Sequence, residues 1–503
     1  MDMFIGYAGI GLFLVAVTLV MELTRKRDAD FSEYATAGRS FGPFYGTMAY
    51  LNTFLPGTVF ISFAGLAAAS GLIGFYLVAY ALLGMFLMHA LARHVHTWGR
   101  KHDLRTQSDL LGLRYRSKPV QAVSAVIGII ATIPWIILGM QSLALVFDVL
   151  SFGAVGPLLA VIISVVVIGV RQIWTVRFGM RGIIISDMVQ GIVAYFGGTL
   201  VAIGLIVWLL TNGHGFAEVP ASFFTLPGPD SELGPLYALS ITVTGALGTW
   251  CWPDIFMRLF TAKSARTVQR TAWQAAPILL VFGTAVLLVA FLAGSMPEVA
   301  AAPDRVWFTV AQVGGVALLT VASICVVAAT MGNVGANLQA VGTQTANDIV
   351  GPLTRTRIQS ARAGRIAVAA VTLVSAIGAL FTVNVSAGLL SLALISYQGI
   401  VQLAPTLLLG VFWRRGTATG AVLSMITGFV TAAVLQYFYP VSIPWLGGLT
   451  SGVAALVVNT AVYVICAYAA KPDADRDAWT ERLWRESAAA HDDEDELVTT
   501  TAH

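Results

Sequence analysis

Charge is the scarcest thing in this chain. Asp, Glu, Lys and Arg make up 11% of its 503 residues, against roughly 25% in soluble domains. Apolar residues make up 57%, and the mean hydropathy is +0.80. That balance excludes a soluble enzyme and predicts a polytopic membrane protein. Cysteine is also scarce. Cys251, Cys325 and Cys466 lie in apolar runs with no metal-ligand spacing and no evident pairing, so they read as small packing residues. No GxxxxGK[ST] run occurs, which argues against ATP-driven work. His94, His96 and His102 fall in a basic loop, where solvation is a better account than a metal site. No catalytic residues, organic cofactor or nucleic-acid partner are expected. The first apolar run lacks the charge order of a signal peptide: Asp2 precedes it and Arg25, Lys26 and Arg27 follow. It is expected to remain as a span with its N-terminus outside.

What the chain has in abundance is apolar runs of spanning length, about 20 residues each. Thirteen are expected, over 3–22, 42–68, 72–92, 120–147, 153–175, 182–211, 235–259, 271–295, 310–346, 365–384, 386–412, 417–439 and 446–469. With the N-terminus outside, 28 of the 29 Lys and Arg residues fall on cytoplasmic segments and only Arg305 falls outside. A wrong span count would scramble that parity. The polar tail after residue 470 carries "HDDEDE". Its Trp479, Leu483 and Trp484 could rest on the membrane surface, or the tail could be disordered.

Three spans carry breakers and polar groups. The second has Asn52, Thr53, Pro56, Gly57 and Thr58 near its middle. Proline there frees a carbonyl about four residues earlier, and in hydrocarbon that group needs a partner. A cavity or ion would supply one; a simple kink is the alternative. The seventh reads "GTWCWPDIFMRLFTAKSARTVQR", with Pro253 and Asp254 after Gly245 and Gly248. Arg258 is expected at the cytoplasmic surface with Lys263 and Arg266. The two broken spans stand five apart, an odd offset that gives them opposite directions. That is the pattern of an inverted-repeat transporter, with its site where the breaks meet. In the ninth, Thr330, Asn333 and Asn337 share a face, with Gln339 and Gln344 beyond. These amides either glue helices together or line the site. Asp187, near the start of the sixth span, either pairs with Arg177 or Arg181 or lies along an ion path.

Several stretches together resemble the sodium:solute symporter family. They are "DFSEYATAGRSFGPF" (30–44), "GMRGIIISDMVQ" (179–190), "WPDIFMRLFTAKSARTVQR" (252–270), "TANDIV" (345–350) and "YQGIVQLAPTLLLGVFWRRGTATGA" (397–421). The resemblance implies an all-α LeuT-type core of two five-helix repeats, here 41–212 and 213–415. The first helix and loop (1–40) precede it. Two further helices (416–470) and an acidic cytoplasmic tail (471–503) follow. It implies symport of a small solute with a cation, sodium first and a proton as the alternative, in a plasma membrane, here a bacterial cytoplasmic one, with lipid and solute as partners.

By the same resemblance, the sodium site uses carbonyls near Asn52 and Leu55, a carbonyl near Ala329 and two adjacent hydroxyls. Those last positions are Gly332 and Asn333, so Thr330 and Asn333 become the candidate replacements. Asp187 is the candidate on the ion path. Thr53, Pro56, Thr58, Trp252, Pro253, Asp254 and Asn337 are the candidate solute cavity. Asp254 stands where the family usually has His. The stretch with Gln402 and Pro405 looks closest to monocarboxylate and pantothenate permeases. A small organic acid is therefore the first solute expectation and a zwitterion such as an amino acid the second. A passive facilitator and a transporter-like sensor are the rival classes.

Overall fold

The computed structural model describes residues 1–24, 30–383 and 388–501, with side chains through residue 490 apart from 388–391. The basic trio Arg25–Arg27 and the start of the span expected at 386–412 lie outside the described residues, as do the side chains of the "HDDEDE" run. Within those limits the chain is helical throughout. Its main helices are α1 (Asp2–Leu23), α2 (Pro43–Phe54), α3 (Ser62–Ser70), α4 (Tyr76–Lys101), α5 (Gln107–Tyr115) and α6 (Lys118–Leu150). There follow α7 (Pro157–Gly191), α8 (Gly198–Thr211), α9 (Tyr237–Gly248), α10 (Pro253–Thr261), α11 (Ala265–Ala293) and α12 (Gly315–Gln344). The last are α13 (Ala361–Phe381), α14 (Gly388–Ile400), α15 (Ala418–Phe438), α16 (Ser451–Ala469) and α17 (Ala474–Thr501).

Ten helical runs among the described residues are long and apolar enough to cross a membrane. The run from Pro157 to Thr211 has 55 residues, about 80 Å if straight, far more than one crossing. It is broken by a kink at Gly179, with φ 60° and ψ −149°. A Cβ there would stand 2.5 Å from the Tyr34 carbonyl oxygen, so only glycine fits this turn. The α9–α10 pair is apolar too, but its break at Trp252 leaves halves of 12 and 9 residues.

The pattern of exposure is that of a protein solvated by lipid. Leu12, Leu200, Leu373 and Phe381 are exposed on α1, α8 and α13, where water would penalise them. The reverse holds for α12, in which every residue from Cys325 to Gln344 is buried. It packs against α1, α6, α7, α10 and α13 and against the turn that follows α2. This axial helix holds the two broken helices together.

The tail is neither lying on lipid nor free over its described part. Leu483 is fully buried, and its carbonyl accepts the Trp98 indole N–H at 2.8 Å. Trp479 donates to the Leu113 carbonyl at 3.0 Å. Indoles need an apolar bed and one acceptor; α17 supplies the acceptor to Trp98 of α4, and α5 supplies the one to Trp479 of α17.

Candidate functional site

The first break follows from Leu55-Pro56-Gly57. Leu55 leaves the helical region (φ −109°, ψ 77°), and Pro56 is extended (φ −69°, ψ 173°), as a residue with no amide donor favours. A short turn over Gly57–Val59 leads on to α3. Gly57 lies against α12 so closely that a Cβ would stand 1.9 Å from Thr330 Oγ1. The freed backbone groups find partners. Asn333 Nδ2 donates to the Thr53 carbonyl at 2.6 Å. The Tyr195 hydroxyl stands 2.8 Å from the carbonyls of both Leu51 and Leu55, with one proton to give to either.

The second break explains why proline, an acid and arginine sit so close together. Trp252 is extended (φ −70°, ψ 125°) and Pro253 opens α10, where its missing N–H costs nothing. Asp254 lies in the first turn, where the helix dipole favours an acid. It is buried, and its Oδ1 has no partner among the described residues. Pro253 packs close to Gly128 of α6, beside Gln344.

Arg258 corrects the sequence expectation. It is not at the cytoplasmic surface but buried, with 5% exposure. Its guanidinium donates to Thr53 Oγ1 at 2.6 and 3.0 Å and to Asp187 Oδ2 at 2.8 Å. Asp187 thus pairs with Arg258, and with neither Arg177 nor Arg181. Its other oxygen accepts from Asn52 Nδ2 at 3.1 Å. A continuous bridge, Thr53–Arg258–Asp187–Asn52, therefore ties the two breaks to α7. A charge is tolerated in such a place only when paired and hydrogen-bonded.

Arg171 is a second buried guanidinium, which sequence reading had counted with the cytoplasmic cations. It donates to Ser186 Oγ at 3.0 Å, while its Nε and Nη1 have no partner among the described residues. Two glycines of α12 leave room for it and for Asn52. A Cβ on Gly335 would lie 1.5 Å from Arg171 Nη1, and one on Gly332 would lie 1.7 Å from Asn52 Nδ2. Arg171 lies inside the apolar run expected at 153–175, and that misplaced charge was the available signal.

The candidate cation residues are brought together in part. Asn52, Thr330 and Asn333 meet where α2 ends against α12, and Leu55 and Ala329 are buried with them. However, Thr330 Oγ1 donates to Val326 of its own helix at 2.8 Å, Asn333 donates to Thr53, and Asn52 donates to Asp187. The amides offer hydrogens here, where a cation needs oxygens.

On the solute side, Trp252 forms part of an aromatic box. Its ring centroid is 5.2 Å from Trp135 and 5.3 Å from Tyr397. The Tyr397 hydroxyl bonds that of Tyr80 at 2.9 Å, and Phe54 meets Tyr80 edge-on. Sequence reading missed Trp135, Tyr397 and Tyr80, which look like ordinary apolar filling until α6, α4 and α14 converge. Thr58 Oγ1, in the turn before α3, and Ser62 Oγ, at its first residue, are buried with no partner among the described residues. Asn337 is buried in α12; its Nδ2 donates to the Asn333 carbonyl at 3.0 Å, and its Oδ1 has no partner among the described residues.

Two broken helices packed on the buried part of a third, on an apolar exterior, define a membrane transporter of the LeuT type. The chain belongs to the sodium:solute symporter family, whose description it matches over residues 34–428. Among solved structures it is similar to a Na+-coupled sialic acid symporter in a substrate-bound, outward-open state. That match has a TM-score of 0.73 and 17% identity over 93% of this chain and 98% of the other. Another is Mhp1, a nucleobase-cation-symport-1 family transporter in a closed conformation, with a TM-score of 0.57, 15% identity and coverage of 90% and 98%. Among curated proteins it is similar to the uncharacterized symporter YhjB of Bacillus subtilis, 24% identical over 90% of this chain and 94% of that one. It is also similar to a monocarboxylic acid transporter of Corynebacterium glutamicum, 22% identical over 85% and 82%. The chain is thus a transporter that couples solute import to a cation, and not an enzyme.

Proposed function

We propose that the chain imports a small organic acid by symport, with the solute held between the aromatic box and the start of α3. The observation that carries this reading is the pair of unpartnered hydroxyls, Thr58 and Ser62, at the N-terminus of that half-helix. Two free donors at the positive end of a helix dipole suit a carboxylate, and Trp135, Trp252 and Tyr397 suit a short apolar body. The similarity to a monocarboxylic acid transporter supports the same class. The unpartnered Asp254 oxygen favours a second reading, a zwitterion whose amino group it would bind. Family and sodium-coupled neighbour support sodium as the ion.

The proposal includes thirteen crossings with the N-terminus outside and the tail inside, two five-helix repeats over 41–212 and 213–415, and a bacterial cytoplasmic membrane. A cysteine placed at Pro220 would then react with an impermeant reagent on intact cells. Protection until the cells are opened would overturn the orientation.

Proteoliposome uptake of labelled monocarboxylates and amino acids, with sodium and pH gradients imposed separately, tests the function. One charge crossing about 100 mV is worth roughly 2.3 kcal/mol, and a tenfold gradient about 1.4 kcal/mol. A monoanion carried with one cation moves no net charge, so its accumulation is capped near the ion gradient. Inward positive current would require at least two cations per anion. Equilibration without accumulation under every gradient would make the protein a facilitator.

A further inference from the structure

A cavity of about 670 Å³, lined by no residue of either helix break, lies where the C-terminal end of α5, the first turn of α15, the last turn of α16 and the first turn of α17 meet. Its size falls within the ~300–1,000 Å³ of small-molecule sites. We propose that it seats the headgroup of a membrane phospholipid, a phosphodiester that carries a primary amine. The wall supplies the phosphate side. Arg114 lines the cavity and is 1% exposed. Its guanidinium donates only to neutral acceptors, the carbonyls of Gly410, Trp413 and Arg414 and the Thr480 hydroxyl. No carboxylate pairs with it among the described residues, so its charge is buried without a counter-ion, which is costly until an anion comes near. Arg116, exposed at the C-cap of α5, stands over the Trp479 ring at 5.3 Å, again with no carboxylate partner among the described residues. Stacking on an indole holds a guanidinium without using its N–H donors. Those donors suit the paired oxygens of a phosphodiester.

The other charges of the lining decide the amine. Asp473 is spent, since its Oδ1 accepts the Arg476 N–H at 3.0 Å, and Arg476 is paired with Asp477 at 2.9 Å. Asp475 is exposed in the first turn of α17 and pairs with no cation among the described residues. What the lining offers a ligand is therefore the cation of Arg116 and the carboxylate of Asp475, beside the buried charge of Arg114. A phosphate joined to an amine matches that set, whereas a simple anion would leave Asp475 opposed to it. The surroundings match acyl chains. From Thr419, in the lining, Leu423, Ile426 and Val430 follow at helical steps of four, three and four, all exposed on α15. On α16, Ile465 is exposed one turn before Ala469, which also lines the cavity. Lipid solvates both stripes, and each begins at the cavity. A soluble phosphate ester would fill the cavity and leave the stripes unused.

The cavity carries its own reporter. Cys466 lines it, whereas Cys251 and Cys325 are buried, so alkylation of Cys466 by a maleimide reads occupancy. The full chain, stripped of lipid in detergent, is labelled with short-chain phosphatidylethanolamine, phosphatidylglycerol or phosphatidylcholine added, or with inorganic phosphate. Phosphatidylethanolamine is expected to slow labelling saturably. Its half-protection should come at a concentration about three- to fivefold below that of the other two lipids, the gain that one exposed ion pair gives. Inorganic phosphate should not protect. Asp475→Asn should erase the preference among the lipids. Arg116→Asn, which suits the left-handed C-cap, should weaken protection by all three. Equal protection by the three lipids in the wild type would overturn the proposal, as would full protection by phosphate, no protection at all, or an Arg116→Asn protein that is protected like the wild type. Labelling of a single thiol shows that a variant is folded. If Arg116→Asn exposes all three, Thr419→Glu, which adds a carboxylate to the lining, is read in its place. The result does not depend on which solute is transported.

Discussion

The two broken helices use one device for two ends. At Pro56 the chain opens its backbone and answers the α2 side with its own side chains, Asn333 and Tyr195 at the backbone and Arg258 on Thr53, while Thr58 and Ser62 on the α3 side have no hydrogen-bond partner among the described residues. At Pro253 it opens the helix and leaves a buried carboxylate oxygen without a partner among the described residues, next to a tryptophan of the aromatic box. The satisfied side of a break is structural, whereas the groups left unpartnered, at the start of α3 and at Asp254, are the ones left to a ligand. The proline identifies both and distinguishes neither.

The sharpest way to break this contrast is to open the satisfied side. Asp187→Ala strands Arg258 and Arg171 without a counter-charge, and such a loss costs about 3–5 kcal/mol. The expected result is a protein that does not survive solubilisation, read by size-exclusion profile. A stable, monodisperse variant would mean that the bridge is ornamental. Gly57→Ala comes next. Its methyl would lie 1.9 Å from Thr330 Oγ1, an overpacking cost of about 1–3 kcal/mol. Uptake should fall at least tenfold while some folded protein remains.

On the unsatisfied side the order of effects reverses, with function moving more than stability. Asp254→Asn keeps the shape and breaks no side-chain bond at Oδ1. Its melting midpoint should stay near that of the wild type while solute affinity changes about tenfold, in equilibrium binding. An unchanged affinity between pH 5 and 8 would return Asp254 to a structural role. Tyr397→Phe removes the bond to Tyr80, worth about 1 kcal/mol, and should weaken binding up to about fivefold.

The smallest effect lies outside the membrane. Burial alone would raise the Glu486 carboxyl, but hydrogen bonds from His102, Lys101 and Arg482 outweigh it and hold Glu486 below the usual range. A depressed acid contributes at neutral pH and loses its contribution as pH falls through its lowered value. Once corrected for the intrinsic pH dependence of exchange, the protection of α17 amides should therefore fall modestly on acidification in the wild type and change less with pH in Glu486→Gln.

Much of this was legible in the sequence, and for definite reasons. Spans declare themselves because lipid admits only long apolar helices, and breaks do so because Pro and Gly are rarely tolerated there without a partner. Asn52, Thr53, Asn333, Asp187 and Asp254 stood out as polar groups in apolar company. What the sequence could not carry was pairing. Arg258 lies 71 residues from Asp187, and its position near Lys263 and Arg266 made a surface reading natural. Arg171 was hidden by a charge-counting rule that treats a cation near a span's end as a loop residue. Its partner feature, the Gly332–Gly335 notch, is an absence of side chains and carries no chemistry until something fills it. The aromatic box was invisible because Trp135 and Tyr397 come from separate helices and differ from core filling only in whom they meet.

The docked tail has a consequence for the making of this protein. Trp98 waits for a partner 385 residues later in the chain. At about 5–20 residues per second, roughly 20–80 s separate the synthesis of the indole from that of the Leu483 carbonyl that receives it. For that interval the C-terminal end of α4 is finished but uncovered, and its cover arrives only with α17. A ribosome that stalls before Leu483 would release a chain with its spans inserted and the face around Trp98 still open, a ready target for quality-control proteases.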